Sequence, residues 1–95
     1  MKRINFFIGA DNKTKRINKE YYNKIIVIFN KYFVDYSINK LLGFWQGKKE
    51  ESINIFIFKE SVKGIDLNKI ATESKEKLNQ AAILMSIENI KTMVV

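Results

Sequence analysis

From Ser52 to Phe58 the chain alternates without a break: Ile53, Ile55 and Ile57 take every second position, with Asn54, Phe56 and Phe58 between them. Side chains of a strand point alternately to opposite faces, so this segment has one aliphatic face and one largely aromatic face. Helical winding would scatter the same residues around a cylinder, so a chain holding this segment must build a sheet. Arg3 to Ile8 repeats the pattern, with Ile4, Phe6 and Ile8 set against Asn5 and Phe7.

Two helices fit between the strands. Asn18 is a capping residue, and after it Tyr22, Ile25, Ile26, Phe29 and Phe33 form one apolar stripe at helical spacing. Asp66 caps a second helix whose stripe is Leu67, Ile70, Ala71, Ser74 and Leu78. Tyr36 to Leu42 reads as a strand ending at Gly43, followed by a hairpin with an aromatic tip. Ala82 to Ile87 begins a last strand, and Ile90 to Val95 either continues it or adds another. The order β-α-β-β-α-β predicts an α+β, ferredoxin-like sandwich: an antiparallel sheet with two helices on one face. Ninety-five residues predict a single domain over 1–95.

Composition narrows function by subtraction. The chain has no His and no Cys, which removes Ser-His-Asp and Cys-His catalysis, disulfides, and zinc sites built on those ligands. No metal site and no cofactor are expected. The apolar run Phe6-Phe7-Ile8 after Met1-Lys2-Arg3 stops at Gly9, too short for a signal core, and no run of eighteen apolar residues exists. The expectation is a cytoplasmic protein without a membrane partner. Net charge is +7, carried by residues 1–49, where eleven Lys or Arg meet three acids. Ile, Lys and Asn, all with AT-rich codons, make up 40 of the 95 residues, so part of this charge reflects nucleotide bias.

If Ile4, Phe6, Ile8, Ile53, Ile55 and Ile57 face the helices, then Phe7, Phe56 and Phe58 line the open face of the sheet. An open face is normally polar, and an aromatic patch marks an interaction surface. A second copy packed face to face would cover it and give a homodimer; a protein partner or stacked bases are the other occupants. Trp45, flanked by Gly43 and Gly47, is either a hairpin-tip cap on the core or a partner anchor.

Phe6-Phe7-Ile8-Gly9-Ala10 resembles the first ribonucleoprotein motif of RNA-recognition-motif domains, and Phe56-Ile57-Phe58 resembles the paired aromatics of the other. That resemblance implies stacking of single-stranded RNA on Phe7, Phe56 and Phe58, with Lys2, Arg3, Lys13, Lys15 and Arg16 on phosphates. A longer stretch is similar to a family of small uncharacterised ferredoxin-like proteins. It comprises Phe6-Phe7-Ile8-Gly9, Gly43-Phe44-Trp45, and Asn79-Gln80-Ala81-Ala82-Ile83-Leu84 against the family's Gln-x-x-Val-Leu. This likeness implies the fold and no activity.

Acid–base chemistry would have to come from scattered carboxylates. Glu50 and Glu51 are adjacent and point to opposite faces of a strand, and Glu60 with Lys63 reads as a surface pair. The expectation is a non-catalytic binding protein. As an accessory or inhibitor protein of phage or mobile-element type, it would dimerise through the sheet face. The alternatives are a single-stranded RNA binder and a dimer that binds small anions or nucleotides through the loop at 9–17.

Overall fold

The structure, a computed structural model, describes residues 1–95 apart from the side chain of Trp45; the expectation for that indole lies outside the described residues. The elements are β1 (Lys2–Gly9), α1 (Lys19–Asn30), β2 (Ser37–Trp45), β3 (Lys48–Lys59), α2 (Leu67–Lys77) and β4 (Leu84–Asn89). The four strands form one antiparallel sheet in the order β2-β3-β1-β4. This is the ferredoxin-like α+β fold that the alternation predicts.

Both helix starts are built as the sequence implies. Asn18 Oδ1 accepts the Tyr21 amide at 2.9 Å and Asp66 Oδ1 accepts the Lys69 amide at 3.0 Å. Each bond satisfies an amide that the first turn would otherwise leave without a partner. The buried stripe of α1 is Tyr21, Ile25, Ile28 and Phe29, extended by Phe33 beyond the helix end. It is rotated from the expected one: Tyr22 and Ile26 flank the core, because the helix turns Tyr21 inward to reach the end of β1. In α2, Ile70, Ser74 and Leu78 are buried as expected, while Leu67 and Ala71 are half-buried.

The core is mostly aliphatic on the sheet side, with Ile4, Phe6 and Ile8 of β1 beside Ile53, Ile55 and Ile57 of β3. Phe6 meets Phe29 edge to face with ring centres 5.2 Å apart, a geometry aromatic pairs favour. Glu73 ties the helices together, accepting from Lys31 Nζ at 2.5 Å, the Tyr32 hydroxyl at 2.6 Å and Lys77 Nζ at 3.2 Å.

Several expected boundaries move, among them the start of β3, which lies at Lys48 and not at Ser52. β2 does not stop at Gly43 but runs to Trp45, since Gly43 pairs with Glu50 and Phe44 with Lys49 in the ladder. The reversal falls on Gln46 and Gly47, whose φ angles of 49° and 76° give the left-handed pair of a two-residue hairpin turn. The last strand starts at Leu84, and beyond Asn89 the ladder continues by one bond, from the Ile90 amide to the Met1 carbonyl. Residues 91–95 form no strand. Glu60 lies 3.8 Å from the amino terminus rather than against Lys63.

The β1–β3 register pairs Gly9 with Ser52, so the β2–β3 hairpin extends past the end of β1. Loops from three parts of the chain gather at that end. No helix among the described residues is long and apolar enough to cross a membrane.

Candidate functional site

At the Gly9 end of the sheet, the chain brings together β1, the first turn of α1, the C-terminus of α2 and the start of the hairpin. The placement of Gln80 begins with its neighbour. Asn79 has φ 52°, a left-handed conformation that Asn tolerates better than most residues. With it in that state, the Asn79 amide bonds the Glu76 carbonyl at 3.3 Å and the Gln80 amide bonds the Lys75 carbonyl at 2.9 Å. This pair of bonds is the Schellman closure of a helix C-terminus. It throws Gln80 back over the sheet, and Asn12 Nδ2 donates to the Asn79 carbonyl from the opposite loop.

Gln80 Nε2 donates to the Ala10 carbonyl and to the Tyr21 hydroxyl, each at 2.9 Å, and the Tyr21 hydroxyl donates to the Gly9 carbonyl at 2.8 Å. Burial, with Asp11 nearby, pushes the Tyr21 phenol up to about 12, so it stays protonated at any ordinary pH. The Gln80 oxygen then lies over Gly9: a Cβ there would sit 2.9 Å from Gln80 Oε1 and 3.9 Å from Glu50 Oε1. Only a glycine lets the Gln80 oxygen come this close to the strand.

Two oxygen acceptors therefore converge above Gly9, one neutral and one anionic. Among the described residues neither is engaged by a hydrogen bond or an ion pair. Glu50 also lines a cleft of about 400 Å³ with Ala10, Asn12, Lys15, Gln46, Lys48 and Lys49. Glu51, on the opposite face as the alternation requires, accepts the Ile17 amide at 2.8 Å and fixes the loop that precedes α1. The arrangement suits a ligand with donors or positive charge at one end and a negative group for the lysines at the other.

The open face of the sheet is more closed than its sequence implies. Phe7 and Phe56 are half-buried, and only Phe58, at 46% exposure, stands well clear. Arg3 accounts for much of this: its guanidinium lies 4.1 Å from the centre of the Phe56 ring and 5.9 Å from that of Phe58. Arg3 Nε donates to Asn5 Oδ1 at 2.9 Å, and Asn5 Nδ2 donates to Ser86 Oγ at 3.1 Å and Glu88 Oε1 at 3.0 Å. Asn54 Nδ2 joins the same Asn5 oxygen at 3.3 Å. Asn5 and Asn54 are buried on a face that no helix covers, because the long side chains around them close over the polar groups.

The expected phosphate contacts do not form one patch. Arg3 is held in that network, Lys2 bonds Asn89, Lys15 lines the Glu50 cleft, and Lys13 lines a separate cleft beside Tyr21 and Asn79. Arg16 is exposed, with its main chain closing the loop through Asp11 and Thr14. Glu50 and Gln80 were not singled out as site residues by sequence reasoning. Gln80 figured only in a family likeness and Glu50 only as half of a mismatched pair; nothing local in the sequence links them.

No protein-family model matches the chain, and no curated protein matches it. Among solved structures it is similar to a phage SAM lyase in the apo state, with TM-score 0.65 and 19% identity over 92% of this chain and 78% of the lyase. The same lyase in complex with S-methyl-5'-thioadenosine gives TM-score 0.64 at 17% identity, covering 92% of this chain and 79% of that one. CutA1 from Oryza sativa gives TM-score 0.54 at 18% identity, covering 99% and 84%. At these identities the likeness establishes the ferredoxin-like fold.

Proposed function

We propose that this protein binds S-adenosylmethionine or a close adenosyl sulfonium above Gly9 and cleaves it to S-methyl-5'-thioadenosine. The observation that carries the reading is the approach of the Gln80 and Glu50 oxygens over Gly9, beside the cleft that Glu50 lines. The similarity to a phage SAM lyase supports it from outside the chain. Glu50 and the partial negative charge of Gln80 Oε1 would face the sulfonium, which carries charge but no hydrogen-bond donor, and Lys15, Lys48 and Lys49 would meet the ligand's carboxylate.

The absence of His and Cys is compatible with this chemistry. A sulfonium is already a good leaving group: the sulfur–Cγ bond breaks with its electron pair staying on sulfur, which becomes a neutral thioether. The four-carbon fragment then closes through its own carboxylate or gives up a proton, so no outside oxidant, reductant or nucleophile is needed. The protein's task is to bind the substrate and hold it in a reactive geometry.

Incubation of the purified protein with S-adenosylmethionine, followed by chromatography at 260 nm, tests the reading. S-methyl-5'-thioadenosine should accumulate, and Glu50→Gln should lower kcat/KM about 2–5-fold, the range expected when an exposed charge pair worth about 0.2–1 kcal/mol is lost. No product and no binding at millimolar ligand would overturn it.

A second reading rests on a different observation: Phe58 and Leu84 remain exposed on the open face, at 46% and 68%. On that reading the chain is a non-catalytic accessory or inhibitor protein that self-associates through the sheet and acts on a macromolecular partner. It then shows no turnover and loses self-association when Phe58 is truncated.

A further inference from the structure

We infer that Tyr21 is a positioning residue that fixes which end of the Gln80 amide faces the ligand, and so makes the site above Gly9 selective for cationic or donor groups. The inference rests on the adenosyl sulfonium reading. It comes from the polarity of a short hydrogen-bond chain rather than from any one distance.

A carbonyl oxygen only accepts. The Gly9 carbonyl, 2.8 Å from the Tyr21 oxygen, therefore takes the phenol proton, and Tyr21 has only lone pairs left for Gln80. The Ala10 carbonyl, 2.9 Å from Gln80, likewise offers only lone pairs. Both neighbours reject the oxygen end of the amide and accept its NH2 end. A flipped amide would lose two hydrogen bonds and place oxygen against two acceptors. Gln80 Oε1 is thereby locked over Gly9, and this end of the site presents acceptors alone. A ligand carrying a positive sulfur fits it, whereas a neutral thioether gains nothing from it.

Tyr21 is nearly fully buried, lies on the first turn of α1 and lines a neighbouring cleft, not the cleft beside Glu50. It is thus suited to act through Gln80 and not by touching the ligand. Tyr21→Phe keeps the ring in the core and removes only the hydroxyl, which frees one amide proton of Gln80 and lets the group turn.

The test is a double-mutant cycle read by calorimetric titration with S-adenosylmethionine and with S-adenosylhomocysteine, which has the same amino-acid end and a neutral thioether in place of the sulfonium. The wild type should prefer the cation, and Tyr21→Phe should reduce that preference about tenfold. In a Gln80→Leu background the same change should alter the preference no further, since the group it orients is gone. A merely structural role for Tyr21 would persist in that background, and such persistence would overturn the inference. So would an unchanged preference in Tyr21→Phe. A thermal melt of each variant verifies folding. Proton exchange of the Gln80 side-chain amide, followed by NMR without ligand, reads the same lock independently. It should be slow in the wild type and faster in Tyr21→Phe, and equal exchange in the two overturns the inference. Failure of the wild type to bind either nucleoside, with the amide still protected, would sink the sulfonium reading while leaving the Tyr21–Gln80 lock standing.

Discussion

The Tyr32 hydroxyl of the segment after α1 donates to Glu73 of α2 across 2.6 Å, and Lys31 reaches the other oxygen of the same carboxylate. One side chain thus gathers three donors from both helices, with only 19% of it exposed. The bond to Lys31, then that to Tyr32, holds the Glu73 carboxyl down at about 2 against an ordinary 4.5.

That depression sets a sign for acid stability. A carboxyl whose folded value is lowered stabilises the fold above its unfolded value, and the contribution is lost as pH falls through the folded one. The melting temperature of the wild type should exceed that of Glu73→Gln by a constant gap above pH 5, and the gap should close between pH 4.5 and 2. Thermal melts monitored by circular dichroism across that range check it; a gap that persists at pH 2 would contradict the assignment.

The β2–β3 turn can be improved. Gln46 occupies a left-handed conformation ahead of Gly47, where Asn is far better tolerated and Asn-Gly is the favoured pair. Gln46→Asn should stabilise the fold by about 0.5–1 kcal/mol, raising Tm by roughly 2–8 °C for a domain of this size. Calorimetry would show the shift, and a lowered Tm would mean that the turn depends on some other contact of Gln46.

Phenylalanines on the two faces of the sheet should behave differently. Phe6 is fully buried against Phe29, so Phe6→Ala should cost about 3–5 kcal/mol by leaving a cavity. Phe58→Ala removes a ring already half in water and should cost far less. If the open face joins two copies, Phe58→Ala should instead convert a dimer to a monomer in light scattering on a sizing column. Equal destabilisation by the two changes would put Phe58 in the core.

Gly9→Ala separates site from fold. The added methyl would fall 2.9 Å from Gln80 Oε1, on an amide that two hydrogen bonds hold, so the fold should survive at a cost of about 1–3 kcal/mol for those bonds while the acceptor is displaced. Turnover or binding of S-adenosylmethionine should drop at least tenfold, measured beside the melt. Full activity in the variant would move the site elsewhere.

The fold was legible because it rests on local periodicity. Ile4-Phe6-Ile8 and Ile53-Ile55-Ile57 specify two strands with a shared inner face, and strand geometry leaves no other way to bury them together. Asn18 and Asp66 mark helix starts by chemistry that acts within three residues. Even the separation of Glu50 from Glu51 follows from the period of two.

Tertiary structure decided the rest. Which flank of α1 turns inward was settled by the Tyr21 hydroxyl reaching the Gly9 carbonyl, and Tyr22 has as good an apolar pattern in sequence. The openness of the sheet face was settled by Arg3, whose stem and guanidinium fold over Phe56 because Asn5 and Asn54 bind them there. Gly9, Glu50 and Gln80 meet only through the β1–β3 register and the Schellman turn at Asn79. Hydrophobic alternation records where a side chain points along its own strand. It carries no information about which distant polar group arrives above it, so the site existed only once the chain was folded.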